Sequence, residues 1–288
     1  MTTIVWADGK IQAPNATIVS PLSHGFTVGD GVYETIGFHR REPFALQRHM
    51  KRLKDSLARI GLVDLDPAQV MTGIRAVVDA GQGKLTRLRV TVAAGPGPLG
   101  TERLPGKPYI VVAGTDMALR KTCDAVRVVW RRNEYSSIVG IKSTSWCEQV
   151  VIREYAAAHG ADEAILQNAQ GHLCEGTGTN VFIERHGEIL TPPLASGCLP
   201  GIARSLALEW GQEAGLPVRA ADVGELEYEV LDDVFQGEAS AAVTSVTRRV
   251  QTVATLDGAQ CKPGTLLAQL KNAFDSKADQ EQDPPPAP

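Results

Sequence analysis

Gly140-Ile141-Lys142-Ser143-Thr144-Ser145-Trp146 is the stretch from which the rest of the chain can be read. Between Glu134 and Glu148 the only formal charge is on Lys142, set among Ile138, Val139, Ile141 and small hydroxyl residues. A lysine belongs by default on a solvated face, because an ammonium buried without a partner is expensive. An apolar setting favours the neutral amine, a nucleophile that condenses with carbonyls to a Schiff base. The bland reading is a surface lysine closing a strand; the sharper one is imine chemistry. A second stretch about thirty residues on, Leu173-Cys174-Glu175-Gly176-Thr177-Gly178-Thr179-Asn180, favours the sharper reading. It places an isolated Glu175 inside a glycine/threonine turn.

At 288 residues the chain can bury a large core and is expected to form two domains. Its 43% hydrophobic and 22% charged residues are those of a soluble globular protein. A net charge of −4 with no basic block excludes nucleic acid and anionic membrane as expected partners. Apolar runs are far shorter than a spanning helix, and the N-terminus carries no leader pattern, so a cytoplasmic location is expected. Cys123, Cys147, Cys174, Cys198 and Cys261 are an odd, widely spaced set without a CxxC pair, which fits reduced thiols. None of the six histidines stands at metal-ligand spacing from another, so no metal site is expected.

Outward from Lys142, the glycine-rich His24–Ile36 run passes straight into an alternating strand, which disfavours a dinucleotide fingerprint. Leu46, Met50, Leu53, Leu57 and Ile60 predict an amphipathic helix ending at Gly61, and Val70 to Ala80 a second. Strands are expected at Leu85–Val92, Tyr109–Ala113, Val126–Trp130, Glu163–Gln167 and Val181–Ile183, with a helix over Glu148–His159. The stiff loop Ala94–Gly100 is expected to border a site. Pro200-Gly201-Ile202-Ala203-Arg204 opens a helix whose N-terminus suits an anion. The expected organisation is a small α/β domain over 1–118, a linker over 119–125, a large cofactor-binding domain over 126–275 and a disordered tail over 276–288.

Three features therefore converge: a lysine fit for imine chemistry, an isolated acid in a tight turn, and a helix start with an arginine-bearing helix suited to phosphate. Pyridoxal 5′-phosphate requires all three. The order GDGVYET (Gly29 to Thr35), RHMKRL (Arg48 to Leu53), IKSTSW (Ile141 to Trp146), EGTGTNVF (Glu175 to Phe182), TPPL (Thr191 to Leu194) and LPGIAR (Leu199 to Arg204) resembles the fold-type IV (class IV aminotransferase) pyridoxal-phosphate enzymes. The match runs from about Val5 to Ala273. The resemblance implies an α/β (α+β) fold, a small N-terminal α/β domain and a larger C-terminal domain with a barrel-like β core. It implies the cofactor lying between them, usually in a homodimer.

By this resemblance Lys142 carries the cofactor and shuttles the proton, and Glu175 pairs with the ring nitrogen. Arg52 and the backbone amides of Ile202 and Ala203 hold the phosphate, and Thr179 joins the cofactor shell. Two departures stand out. Ala203 replaces a common threonine, and Val246 sits where a hydroxyl residue is common; Ser245 and Thr247 are expected to compensate. No histidine lies between His49 and His159, so the Arg-x-His carboxylate grip of the D-amino acid aminotransferases is absent. Tyr33, Arg89 and Arg103 are the candidate substrate contacts.

Thr35 falls where aminodeoxychorismate lyases carry a threonine beside the cofactor. Runs such as HGFTVGDGVYET and TPPLASGCLPG resemble actinobacterial proteins called aminodeoxychorismate lyase or class IV aminotransferase. The expectation is therefore a 4-amino-4-deoxychorismate lyase giving 4-aminobenzoate and pyruvate for folate biosynthesis, with Lys142 and Thr35 catalytic. The alternative is an amino acid aminotransferase of the D-amino acid or branched-chain type, or both activities in one protein. A cofactor-binding protein without turnover is a third class, opposed by the intact Lys142 and Glu175.

Overall fold

The computed structural model describes residues 3–118 and 121–286. Part of the expected linker, Leu119 and Arg120, lies outside the described residues, as do the chain's first and last two positions. The chain divides into two units. The first comprises Met1–Ala118, Ile141–Trp146 and Glu281–Pro288; the second comprises Leu119–Gly140 and Cys147–Gln280.

In the first unit the order is β1 (Thr3–Ala7), β2 (Lys10–Gln12), α1 (His24–Thr27), β3 (Gly31–His39), β4 (Glu42–Pro43), α2 (Leu46–Ile60), α3 (Pro67–Gly81), β5 (Arg87–Ala93) and β6 (Tyr109–Thr115). The strands form an antiparallel sheet in the order β2-β1-β6-β5-β3-β4. Side chains alternate across a strand, so Val32 and Ile36 of β3 and Leu88, Val90 and Val92 of β5 share one face. All five are fully buried, in one core with Leu53 and Leu57 of α2 and Val70, Ile74 and Val77 of α3. Each such side chain contributes about 1.5–3 kcal/mol relative to leaving it in water. Gly73 lets α3 come down on Trp6, since a Cβ there would lie 2.5 Å from the indole.

The caps explain the helix limits. Asp66 accepts from the Ala68 amide at 2.9 Å and Pro67 takes the first helical position, so α3 starts earlier than hydrophobic spacing predicts. Ala45 precedes α2 in a left-handed conformation and cannot cap it with a side chain. Asp283 does so instead, its Oδ1 accepting from the Gln47 amide at 2.9 Å. The Gln282 carbonyl accepts from the Ala45 amide, and the Gln282 side chain donates to the Glu42 and Pro43 carbonyls. This corrects the disordered tail expected over 276–288. The last helix continues to Gln280, and the residues after it are held by backbone groups of the first unit.

A second correction concerns Lys142 itself, expected inside a domain over 126–275. Ser143 bridges Val32 antiparallel; Tyr33 donates to the Lys142 carbonyl at 2.9 Å and Thr144 to that of Gly31 at 2.8 Å. The segment Ile141–Trp146 thereby extends the first unit's sheet, and Ile141 enters its core.

The second unit contains β7 (Cys123–Arg132), α4 (Cys147–Ala158), β8 (Glu163–Asn168), β9 (Leu173–Gly176), β10 (Asn180–Arg185), β11 (Glu188–Thr191), α5 (Ile202–Glu213), β12 (Val218–Ala220), α6 (Val230–Gln236), β13 (Ser240–Ser245), β14 (Arg249–Leu256), β15 (Ala259–Gln260) and α7 (Thr265–Gln280). Its curled sheet runs β12-β11-β10-β13-β14-β7-β8-β9, with β15 beside β14. β7 begins at Cys123, opposite Val253, so the expected linker is strand for its last three residues. Ile165, Val181, Ile183, Leu190, Val243 and Leu256 are fully buried in its main core. No helix among the described residues is long and apolar enough to cross a membrane.

Candidate active site

Strand alternation decides what surrounds Lys142. Lys142 lies opposite Tyr33, and Thr35 pairs with Arg89 across β3 and β5. These four residues therefore project from the face of the sheet opposite its core. The Lys142 Nζ lies 4.6 Å from the Tyr33 ring centroid and 5.2 Å from that of Trp146. The two rings meet edge to face at 5.9 Å. The Arg89 guanidinium stacks on Tyr33 at 3.5 Å. Burial pushes the Tyr33 phenol above its ordinary pKa, opposed by the charge of Arg89. An amine, an aromatic wall and a guanidinium thus occupy one patch. Arg103 takes no part in it: its guanidinium grips both Asp30 oxygens, at 2.6 and 2.5 Å, and donates to the Ile60 carbonyl.

On the core side of β3, Glu34 occupies an inward position between Val32 and Ile36 and is 1% exposed. His49 Nδ1 lies 2.7 Å from Glu34 Oε2, and Arg52 Nε and Nη2 donate to the same carboxylate at 2.8 and 2.6 Å. Burial alone would raise the Glu34 pKa; Arg52 and His49 overcome it and hold it down to about 2. Burial keeps His49 neutral, and the charges of Arg52 and Lys142 reinforce this against Glu34. Arg52, picked out by the sequence, is thus steadied by two residues that sequence reasoning missed. The available signal was a carboxylate at an inward position of an alternating strand.

In the second unit Glu175 lies in β9, one residue before its end, and is 6% exposed. Its Oε2 accepts from the Leu199 amide at 2.8 Å, and Arg132 Nε lies 3.3 Å from Oε1. Asn180 Nδ2 holds the Leu199 carbonyl at 2.9 Å. Gly201 caps α5 without a side chain, and a Cβ there would lie 1.9 Å from Asn180 Oδ1, so only glycine fits. The first amides of α5, those of Ile202 and Ala203, thus start a helix with no side-chain cap. Ser245 and Thr247 place their hydroxyl oxygens 3.3 Å apart at the end of β13.

Two further side chains were missed. Thr244, paired with Asn180 across β13 and β10, buries a hydroxyl that finds no hydrogen-bond partner among the described residues. Such an orphan costs about 1–3 kcal/mol unless a polar group meets it. That observation and the bare helix start fit a phosphate. Glu163 is the other, buried under the turn that follows Glu175. The Thr179 hydroxyl lies in this turn, 3.0 Å from Glu163 Oε2. Burial raises the Cys174 and Cys198 thiols, the latter to about 11, so both stay protonated.

The sequence profile of the amino-transferase class IV family matches residues 31–248. A D-alanine aminotransferase of Bacillus licheniformis is 29% identical over 283 residues, covering 93% of this chain and 94% of the relative. A branched-chain-amino-acid aminotransferase of Salmonella typhimurium is 27% identical over 282 residues, covering 92% and 90%. Among solved structures, a Thermus branched-chain amino acid aminotransferase complexed with N-(5′-phosphopyridoxyl)-L-glutamate superposes with a TM-score of 0.81 at 23% identity, covering 98% and 95%. A Legionella pneumophila protein provisionally named 4-amino-4-deoxychorismate lyase gives 0.79 at 20% identity, covering 91% and 96%.

Proposed function

Since this chain belongs to the amino-transferase class IV family, whose members depend on pyridoxal 5′-phosphate, we propose that it is an amino acid aminotransferase. The observation that carries this reading is Arg89 stacked on Tyr33 beside Lys142, a carboxylate grip next to an amine. The relatives named for branched-chain amino acids and D-alanine support it over other chemistries.

When bound, the cofactor supplies an electron sink for the carbanion at the substrate's Cα. Lys142 Nζ would be its attachment point and the base that carries the proton leaving the substrate's Cα. Glu175 would pair with the ring nitrogen and favour its protonated form. In the second unit the Ile202 and Ala203 amides, with the hydroxyls of Ser245, Thr247 and Thr244, would receive its phosphate. Arg89 binds the substrate carboxylate, with Tyr33 and Trp146 excluding water from the amine. The working form is a cytoplasmic homodimer.

A second reading, 4-amino-4-deoxychorismate lyase, draws on one feature: Thr35 lies beside Arg89 on the Lys142 face. There its hydroxyl would guide a proton to the leaving enol. The test is an assay of the purified protein, loaded with the cofactor, in two arms. One offers D-alanine or L-leucine with 2-oxoglutarate; the other offers chorismate with an aminodeoxychorismate synthase. Lys142→Ala is the blank in both. Lysine-dependent glutamate formation is expected. Formation of 4-aminobenzoate without glutamate would overturn the aminotransferase reading in favour of the lyase.

A further inference from the structure

Glu163 starts β8 and is 2% exposed. Its carboxylate forms no ion pair among the described residues, which is a costly state for a buried charge. Every partner it has is an uncharged donor. Oε1 accepts from the Ala164 amide at 3.1 Å, the Thr177 amide at 2.8 Å and the Thr177 hydroxyl, while Oε2 accepts from the Thr179 hydroxyl. The Thr177 and Thr179 donors belong to one turn, which begins at Glu175 and ends at Asn180. The turn closes on itself through the Gly176 amide and the Thr179 carbonyl at 2.8 Å. It is filled solid: a Cβ on Gly176 would lie 2.3 Å from Thr179 Oγ1 and 3.0 Å from Glu163 Cδ.

We propose that Glu163 is the positioning residue for this turn, fixing through Thr177 and Thr179 both the aim of Glu175 and the placement of the α5 start. At one end of the turn Glu175 meets the Leu199 amide and Arg132. At the other end Asn180 holds the Leu199 carbonyl and fits against Gly201. One carboxylate therefore registers the ring-nitrogen partner against the phosphate amides. A glutamine would keep one oxygen for the two Thr177 donors but turn its NH2 on Thr179 Oγ1, forcing that hydroxyl to accept instead of donate. It would also lose the charge that strengthens the other bonds, so the turn would loosen. This inference rests on Glu175 serving the ring nitrogen, and its test separates the two.

The variants are Glu163→Gln, Thr179→Val and Thr179→Ser, with Glu175→Gln as the reference. Two properties are measured: cofactor affinity, by absorbance titration of the apoprotein, and the midpoint of the pH titration of the bound cofactor's absorption band. Unfolding of the apoprotein is followed alongside. Glu163→Gln and Thr179→Val are expected to bind the cofactor about tenfold more weakly. They should move the midpoint in the same direction as Glu175→Gln, while Thr179→Ser behaves as the parent protein does. If both variants lower the unfolding temperature and leave the titration unmoved, Glu163 is structural only and the proposal fails. An unmoved midpoint in Glu175→Gln itself would instead remove the ring-nitrogen assignment. Should Glu163→Gln not fold, the split between Thr179→Val and Thr179→Ser decides alone.

Discussion

Glu34 is a residue whose surroundings do opposite things to it. The apolar core of β3 and α2 would neutralise it, and Arg52 and His49 keep it charged. Removing the charge leaves Arg52 facing a neutral amide in a nearly closed site. Glu34→Gln should therefore lose about 3 kcal/mol of stability in urea unfolding. The pH dependence follows from the two shifts. Glu34 titrates near 2 when folded, below its ordinary 4.5, so its stabilisation is present above 4.5 and is lost as pH falls toward 2. His49 is lowered below its ordinary 6.5, so the unfolded chain takes up a proton first and stability declines from about 6.5 downward. The expected curve falls in two stages on acidification, and His49→Gln should abolish the upper one. At the surface of the same sheet, Arg89→Leu should raise the KM for the amino acid about ten- to hundredfold and leave the cofactor titration unchanged. Lys142 and Glu175 were legible in the sequence because each is a lone charge in uncharged surroundings. Glu34, His49 and Glu163 were not, since their meaning lies in partners brought together by strand pairing and helix packing.

Among elements, α2 was readable to its ends because its apolar residues recur at helical spacing and Gly61 stops it. The α3 start was misplaced by three residues, since spacing outweighed the Asp66-Pro67 signature that sets it. The turn from Glu175 to Asn180 was recognisable by its glycines, but the reason for Gly176 was not. Its backbone needs no left-handed conformation; the space above it is filled by Thr179 and Glu163. Gly176→Ala should accordingly destabilise the second unit by about 1–3 kcal/mol. Thermal unfolding of the apoprotein would measure this, and Gly178→Ala, where no atom lies within 4 Å, is the control. Thr179 shows what motif reading leaves out: its hydroxyl also ties the turn to Glu163.

On the scale of the whole molecule, sequence order misleads about membership. The first unit recruits Ile141–Trp146 to its sheet and Glu281–Pro288 to its helix start, while most of the residues between belong to the second. Composition led to the opposite expectation for the tail, because a polar, proline-rich run usually cannot bury enough surface to order itself. Here the polar groups are used directly, as Asp283 caps a helix that Ala45 cannot. Deleting residues 281–288 should cost about 1 kcal/mol, seen as a lower denaturation midpoint for the first unit. Hydrogen exchange at the Gln47 amide should quicken most. The same connectivity constrains how the chain is born. A ribosome that has released residues 1–118 has delivered the first unit's six strands, yet the start of β3 still lacks the segment that bridges it and α2 its cap. Those arrive with Ser143 and Asp283, the latter 236 residues after the amide it receives. The unit synthesised first is thus the last to be completed, and its half-made edge is the place where a nascent chain most needs shielding.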